Sequence, residues 1–404
     1  MARLPGARTM VFDDEVLAPY DAGVDASEPL PRRAYAAAHI AMRDGYAHIE
    51  HASHRSGTRD EIASAIDWEA TLGFRRRLDA LGMGVAEAMD TAQRFDVGWD
   101  IARELIERTG ELGLRNGFVG AASSDHVASI GDLDALADAI SEQVAYVRTH
   151  GGLPIVLPQP WLTENGASED DYVRVYTRVI DASEGELLLH WLGEVFHPSM
   201  RGYFPGDSVG RILAHDPEKV RGIKMSLLDR AFEERLRADL AARGQVVFTG
   251  DDHNFAALIE GTSQEPAPLA PLDGRPLPGG AFSHALLGIF AAVARPASLA
   301  LRRLGVGDVD GYRALMEPCE ELGRIVFEAP VGSYKAGVAF LAWLNGLQSN
   351  PMLPNHAERE RDLDHFLRVA EAASRAGAIE DAALASERLQ QLVGALSPDS
   401  RERA

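Results

Sequence analysis

Lysine is nearly missing from this chain. Of 40 basic residues in 404, only Lys219, Lys224 and Lys335 are lysines. On a solvated surface lysine and arginine are nearly exchangeable, so a bias toward arginine removes surface lysines at little cost. Where a primary amine must lose its proton, the permanently charged guanidinium cannot stand in. The lysines that remain are therefore enriched in ones with a reason.

Other scarcities narrow the function. Cys319 is the only cysteine, which excludes an intrachain disulfide and a thiolate zinc cluster. An excess of basic charge is absent: the net charge is −21, so neither nucleic acid nor an anionic membrane surface is an expected partner. Long apolar runs are absent too. The longest, about Ala285–Ala294, is shorter than a bilayer span. Met1–Met10 carries Arg3 and Arg8 but no apolar core of signal length, so a cytoplasmic location is expected. With 46% apolar and 25% charged residues, the composition is that of a globular protein and excludes disordered or fibrous classes.

What is present is a recurring unit: a short apolar run, a polar loop, then an amphipathic helix. The runs are Ala34–Ile40, Val85–Met89, Gly117–Ala121, Pro154–Leu157, Leu187–Trp191, Val220–Met225, Val246–Thr249 and Phe282–Leu287. Leu133, Leu136, Ile140, Val144 and Val147 mark one helix, closed by Gly151-Gly152. Ser168 and Asp171 start another with a capping-box pattern. Phe232, Leu236 and Leu240 make a third stripe, ended by Gly244. Eight runs alternating with helices predict an α/β fold, a (βα)8 TIM barrel. We place the barrel at 32–301, after an N-terminal extension at 1–31 and before a C-terminal helical appendix at 302–404. Gln264–Gly280, rich in Pro and Gly, is predicted to be a long loop. The appendix is predicted as helices over Tyr312–Phe327, Tyr334–Leu347 and Ala357–Leu396, with Phe340 and Trp343 in its core. His51 and His54 read as solvated loop residues, and Lys219 as a surface residue at a helix–strand junction.

Reactive side chains of such barrels cluster at the carboxyl ends of the strands. Those ends offer His39, Asp90, Thr91, Ser123 to His126, Gln159, His190, Lys224, Ser226, and Thr249 to His253. Lys224 ends the run Val220-Arg221-Gly222-Ile223-Lys224, between Ile223 and Met225. Burial there disfavours the ammonium and would expose a nucleophilic amine able to form an iminium with a ketone. The plainer alternative is a buried lysine paired with Asp251 or Asp252.

Arg221-Gly222-Ile223-Lys224, followed by Val247-Phe248-Thr249-Gly250-Asp251-Asp252, resembles the paired signature of the dihydrodipicolinate synthase and N-acetylneuraminate lyase family. In that family a Gly-Ile-Lys strand supplies a Schiff-base lysine, and a Ser-Gly-Asp-Asp strand follows about 25 residues later. The coarse register extends from about Ala34 to Leu347. The resemblance implies a class I aldolase or lyase on a (βα)8 barrel, with no cofactor and no metal, acting on a small carbonyl substrate and assembled as a homodimer or homotetramer. It implies Lys224 as the catalytic amine. Departures accompany the matches. Of the family's Gly-Thr-Thr-Gly-Glu turn only Thr91 is kept, and Asp90 intrudes. The family's proton-relaying tyrosine aligns with Leu188-Leu189-His190-Trp191, so His190 takes that role in our reading. Arg201 is the candidate counterpart of the family arginine. Gln159 and Ser226 join Asp90, Thr91, Asp251 and Asp252 as expected substrate-binding residues. A keto-sugar or other polyol-derived ketone fits this polar rim as well as a keto acid does. The alternative class is a divalent-metal sugar isomerase, epimerase or hydrolase drawing on His190, Glu194, His197, Asp125-His126 and Asp251-Asp252-His253. A third is a barrel kept as a binding scaffold.

Overall fold

The computed structural model of the chain describes residues 2–3, 9–49, 59–262 and 267–396. His51 and His54 lie outside the described residues. Two compact units are present: Pro31–Ala38 with Leu78–Gly288, and Met1–Leu30 with His39–Arg77 and Ile289–Ala404. Residue 302, the expected start of the appendix, falls inside the helix Ala294–Gly305.

The first unit holds a closed barrel. Its strands are β1 (Ala34–Ala37), β2 (Gly84–Glu87), β3 (Phe118–Ala122), β4 (Leu153–Val156), β5 (Leu187–Leu192), β6 (Val220–Ser226), β7 (Val246–Thr249) and β10 (His284–Leu287). They pair in the order β10-β1-β2-β3-β4-β5-β6-β7. Every pair is parallel. Strands buried on both faces need apolar residues on both, which is why they read as continuous runs rather than alternating ones.

The helices of this unit include α1 (Trp99–Glu111), α2 (Leu133–Thr149), α3 (Glu169–Ala182), α4 (Ser208–His215), α5 (Arg230–Ala241) and α6 (Phe255–Glu260). The α2 stripe Leu136, Ile140, Val144 and Val147 is buried, and Asp132 caps its start by accepting from the Ala135 amide. The capping box of Ser168 and Asp171 opens α3. These helices and the outward faces of the strands share one core that includes Leu136, Ile140, Tyr176, Val179, Leu187, Leu189, Ile223 and Met225. A second core fills the barrel interior with Tyr35, Val119, Ile155, Leu188, Phe248 and Leu286.

The predicted long loop at 264–280 is corrected by a hairpin. Strands β8 (Ala267–Leu272) and β9 (Arg275–Gly279) pair antiparallel around Asp273-Gly274. Both turn residues have positive φ, 50° and 69°, as a two-residue hairpin turn requires. Leu272 and Leu277 are buried and join the interior core. Arg221 donates to the Pro271 and Ala270 carbonyls at 2.9 and 2.8 Å, and Arg275 donates to the Arg115 carbonyl at 3.0 Å. Arg115 and Arg221 lie just before and at the starts of β3 and β6, so the hairpin plugs the amino-terminal mouth of the barrel. Arg221, part of the sequence signature, is thus a fastening for this plug.

The other unit contains α7 (Ala294–Gly305), α8 (Val309–Val326), α9 (Tyr334–Leu344), α10 (Leu363–Arg375) and α11 (Ala382–Leu396). The single helix predicted over Ala357–Leu396 is broken. A 3₁₀ segment covers Pro354–Glu360, Asp362 caps α10, and Gly377 at φ 65° ends it before α11 begins. Within this unit Arg302 donates to the carbonyls of Asp25 and Glu28, both at 2.7 Å, tying the N-terminal segment to α7. Phe340 and Trp343 are buried, and Phe340 packs on Phe366 with centroids 4.8 Å apart. Among the described residues no single helix is long and apolar enough to cross a membrane.

Candidate active site at the carboxyl ends of strands β5 to β7

Alternation along β6 sorts its side chains. Ile223 and Met225 face the outer core, so Gly222, Lys224 and Ser226 face the barrel interior. On β5, Leu187 and Leu189 face outward and Leu188 inward, which turns His190 inward as well. Lys224 and His190 are direct register partners on these neighbouring strands. The Ser226 hydroxyl lies 3.2 Å from His190 Nε2.

The two glycines of the paired signature have a steric reason. A Cβ at Gly222 would collide with the Val246 carbonyl. A Cβ at Gly250 would collide with Ser226 Oγ and come within 2.7 Å of Lys224 Cε. Gly250 thus lets the chain after β7 close against the lysine stem.

Lys224 is half-buried. Burial lowers its pKa from 10.5 to about 8, against the opposing pull of the Asp252 and Asp90 carboxylates. At neutral pH roughly a tenth of the amine is then unprotonated, some two orders of magnitude more than for a solvated lysine. His190 is pushed well below the ordinary histidine range, first by burial and then by the neighbouring Lys224 charge. It is therefore a neutral imidazole at pH 7. Its Nδ1 is buried without a hydrogen-bond partner among the described residues.

The other expected binding residues divide. Asp252 is buried and Asp90 exposed, and both bear on the amine through charge. Thr91 is buried inside the 3₁₀ turn Asp90–Ala92. That turn is bracketed by Ala88 and Gln93 at φ 53° and 54°, conformations costing about 1 kcal/mol or more for a residue with a Cβ. The Gln159 side chain is occupied: it donates to the Leu157 carbonyl at 2.8 Å and accepts from the Ser124 hydroxyl at 2.9 Å. Asp251 accepts from the His253 and Asn254 amides and from the Asn254 side chain at 2.9–3.1 Å, so its carboxylate closes its own turn. His39 belongs to the other unit, where it meets the Gln348 side chain at 2.6 Å.

Two networks were not anticipated from sequence. Glu233 on α5 is buried and accepts from the hydroxyls of Thr249, at 3.1 Å, and Ser283, at 2.7 Å. Thr249 Oγ1 in turn accepts from the Asp251 amide at 3.2 Å, linking Glu233 to the turn beside Lys224. The second network centres on Arg94. Fully buried, it grips Asp125 with Nε and Nη2 at 3.1 and 2.8 Å and donates to the Ala121 carbonyl at 2.9 Å. No sequence signal marks either: an isolated Glu or Arg at a helix start is ordinarily solvated.

Four of the donors proposed for a metal are engaged by separate partners. Asp125 pairs with Arg94, His126 with Glu142, Glu194 with Arg201, and His197 with Ser199. Among the described residues no three His, Cys, Asp or Glu side chains converge in a way that could hold an ion.

Residues 2–396 match the model of the family described as protein of unknown function (DUF993). The chain belongs to the DUF993 family. No curated protein matches its sequence. Solved structures do match this DUF993 chain in fold. Dihydrodipicolinate synthase from Oceanobacillus iheyensis is 14% identical, with a TM-score of 0.57 over 84% of this chain and 96% of that one. The sialic acid aldolase of Ruminococcus gnavus is 13% identical, with a TM-score of 0.57 over 85% and 97%. A variant of the 2-keto-3-deoxygluconate aldolase of Sulfolobus solfataricus is 10% identical, with a TM-score of 0.52 over 81% and 94%. The DUF993 chain thus has the barrel fold of dihydrodipicolinate synthases and N-acetylneuraminate lyases, the resemblance that the Gly222–Lys224 and Gly250–Asp252 motifs raised.

Proposed function

We propose that this protein is a Schiff-base-forming lyase or aldolase that makes or breaks a carbon–carbon bond of a small keto acid or keto-sugar through Lys224. The observation that carries the reading is a half-buried lysine at the carboxyl end of β6, turned toward the barrel interior beside His190, with its amine lowered to about 8 by burial. The free amine adds to the substrate carbonyl carbon, the oxygen takes up a proton, and loss of water leaves an iminium. The iminium draws electrons from the neighbouring bond, so no other electron sink is needed. In cleavage, a base removes the proton of a hydroxyl one carbon further on. The bond between the two carbons breaks, an aldehyde leaves, and an enamine remains.

His190 is our candidate for that base. As a neutral imidazole beside Lys224 it can take the proton, with Ser226 relaying from Nε2. Its low basicity means that the proton is held briefly and returned to the enamine carbon in the same turnover. Water then releases the product and regenerates the amine. Asp252 and Asp90 fix substrate hydroxyls and steady the cationic intermediate.

Borohydride reduction in the presence of a panel of keto acids and keto-sugars, followed by peptide mapping, tests this reading. The expected result is one reduced adduct, on Lys224, lost in Lys224→Ala. Adducts only on Lys219 or Lys335, or none at all, would remove the basis of the proposal.

A further inference from the structure

We infer that the substrate of this site is an uncharged hydroxy-ketone of the sugar class, with no carboxylate attached to its carbonyl carbon. The inference rests on Lys224 being the Schiff-base amine and concerns what flanks the carbonyl once it is there.

The turn amides and the cations that could hold an α-carboxylate are engaged elsewhere, and the carboxylates that act on the amine carry the wrong sign. The turn after β2 is the first. Three of its amides are turned in on the turn itself: Ala92 donates to the Met89 carbonyl at 3.1 Å, Gln93 to that of Asp90 at 2.8 Å, and Arg94 to that of Met89 at 3.3 Å. The turn begins with the Asp90 carboxylate, which places a negative charge immediately before the Thr91 hydroxyl. Arg94 stands next to it but is locked away. Its guanidinium is fully buried against Asp125, Gln143 and the Ala121 carbonyl, leaving no face for a ligand. Arg201, the remaining candidate cation, is 84% exposed and paired with Glu194 at 2.6 Å.

The charges of Asp252, in the turn after β7, and Asp90, in the turn after β2, act on the Lys224 amine. A carboxylate on the substrate would meet two like charges, while the lysine nitrogen is neutral as it attacks and carries a positive charge again only once the iminium has formed. Hydroxyl groups meet the opposite situation. Carboxylate oxygens accept from them, and the neutral His190 and the Ser226 hydroxyl can exchange hydrogen bonds with them as either donor or acceptor. The buried His190 Nδ1, without a hydrogen-bond partner among the described residues, adds one more polar atom for an uncharged partner.

The test uses two probes of nearly equal size, hydroxyacetone and pyruvate, which differ in carrying a hydroxymethyl or a carboxylate beside the same methyl ketone. Full-length protein is incubated with each at equal concentration. The iminium is reduced by hydride from borohydride to a stable secondary amine, and the Lys224 peptide is quantified by mass spectrometry. Labelling is normalised to that of Nα-acetyl-lysine under the same conditions. Hydroxyacetone is expected to label Lys224 at least tenfold more than pyruvate. Asp90→Asn, a change at an exposed position that leaves packing intact, is expected to narrow that ratio severalfold. Equal or preferential labelling by pyruvate would overturn the substrate inference while leaving the Schiff base standing. Absence of any Lys224 adduct with either probe would instead overturn the Schiff-base reading, and the inference with it.

Discussion

Glu233 sits beside Phe232 at the start of α5, and its carboxyl is buried between the hydroxyls of Thr249 and Ser283. Burial raises its pKa from 4.5 to about 7, the two hydroxyls opposing the shift. Asp251 adds to the rise and Arg237 offsets it. Between those two values the folded protein holds a proton that the unfolded chain releases. The contribution to stability is therefore present at low pH and lost as pH rises through 7, by up to roughly 3 kcal/mol. Glu233→Gln lacks this titration. Urea unfolding should show wild type losing stability relative to Glu233→Gln between about pH 4.5 and 8. A difference that stays constant across that range would contradict the assignment. Lys224 could be found from sequence because lysine is scarce and the run around it is apolar on both sides. Glu233 could not, because its partners lie 16 and 50 residues away and nothing local says that it is buried.

At the scale of elements, the hairpin of β8 and β9 is where composition misled. Prolines at 266, 268, 271, 276 and 278 argue for a loop, since proline cannot donate to a ladder. An isolated two-stranded ribbon needs few ladder bonds, however, and it tolerates proline. The signal that survived was Asp273-Gly274 flanked by Leu272 and, two residues beyond, Leu277 after Pro276. Those leucines fill the barrel interior from its amino-terminal end, opposite Lys224. Truncating either removes a buried side chain whose neighbours come from several strands. Leu277→Ala should cost about 2–5 kcal/mol in denaturant unfolding. Borohydride labelling of Lys224 should persist where the variant is folded, because the plug and the amine occupy opposite ends of the strands. A loss below about 0.5 kcal/mol would mean that the hairpin is an ornament and not a plug.

At the scale of the whole molecule, strand count was legible because fully buried parallel strands leave uninterrupted apolar runs, and eight of them survive as β1 to β7 and β10. The break of the last predicted helix at Asp362 and Gly377 was written in residues that favour caps, but the apolar spacing on either side masked it. The site was legible in part. Lys224, His190 and Ser226 come together on adjacent strands as their spacing implied. Gln159 and Asp251 reached the same end of the barrel but are taken up by their own loops, because hydrogen-bond saturation is a property of the folded neighbourhood and not of the residue type.

Lysine scarcity also makes the central claim, that burial turns Lys224 into a nucleophile, directly measurable. Selective ¹⁵Nζ-lysine labelling gives three side-chain signals, and Lys224→Arg identifies the one that matters. Titrated by NMR, the Lys224 signal should show a midpoint near 8, displaced further downward in Asp252→Asn because that carboxylate now favours the ammonium. A Lys224 midpoint at or above 10 would contradict the account, since the amine would then be no more available than a solvated one.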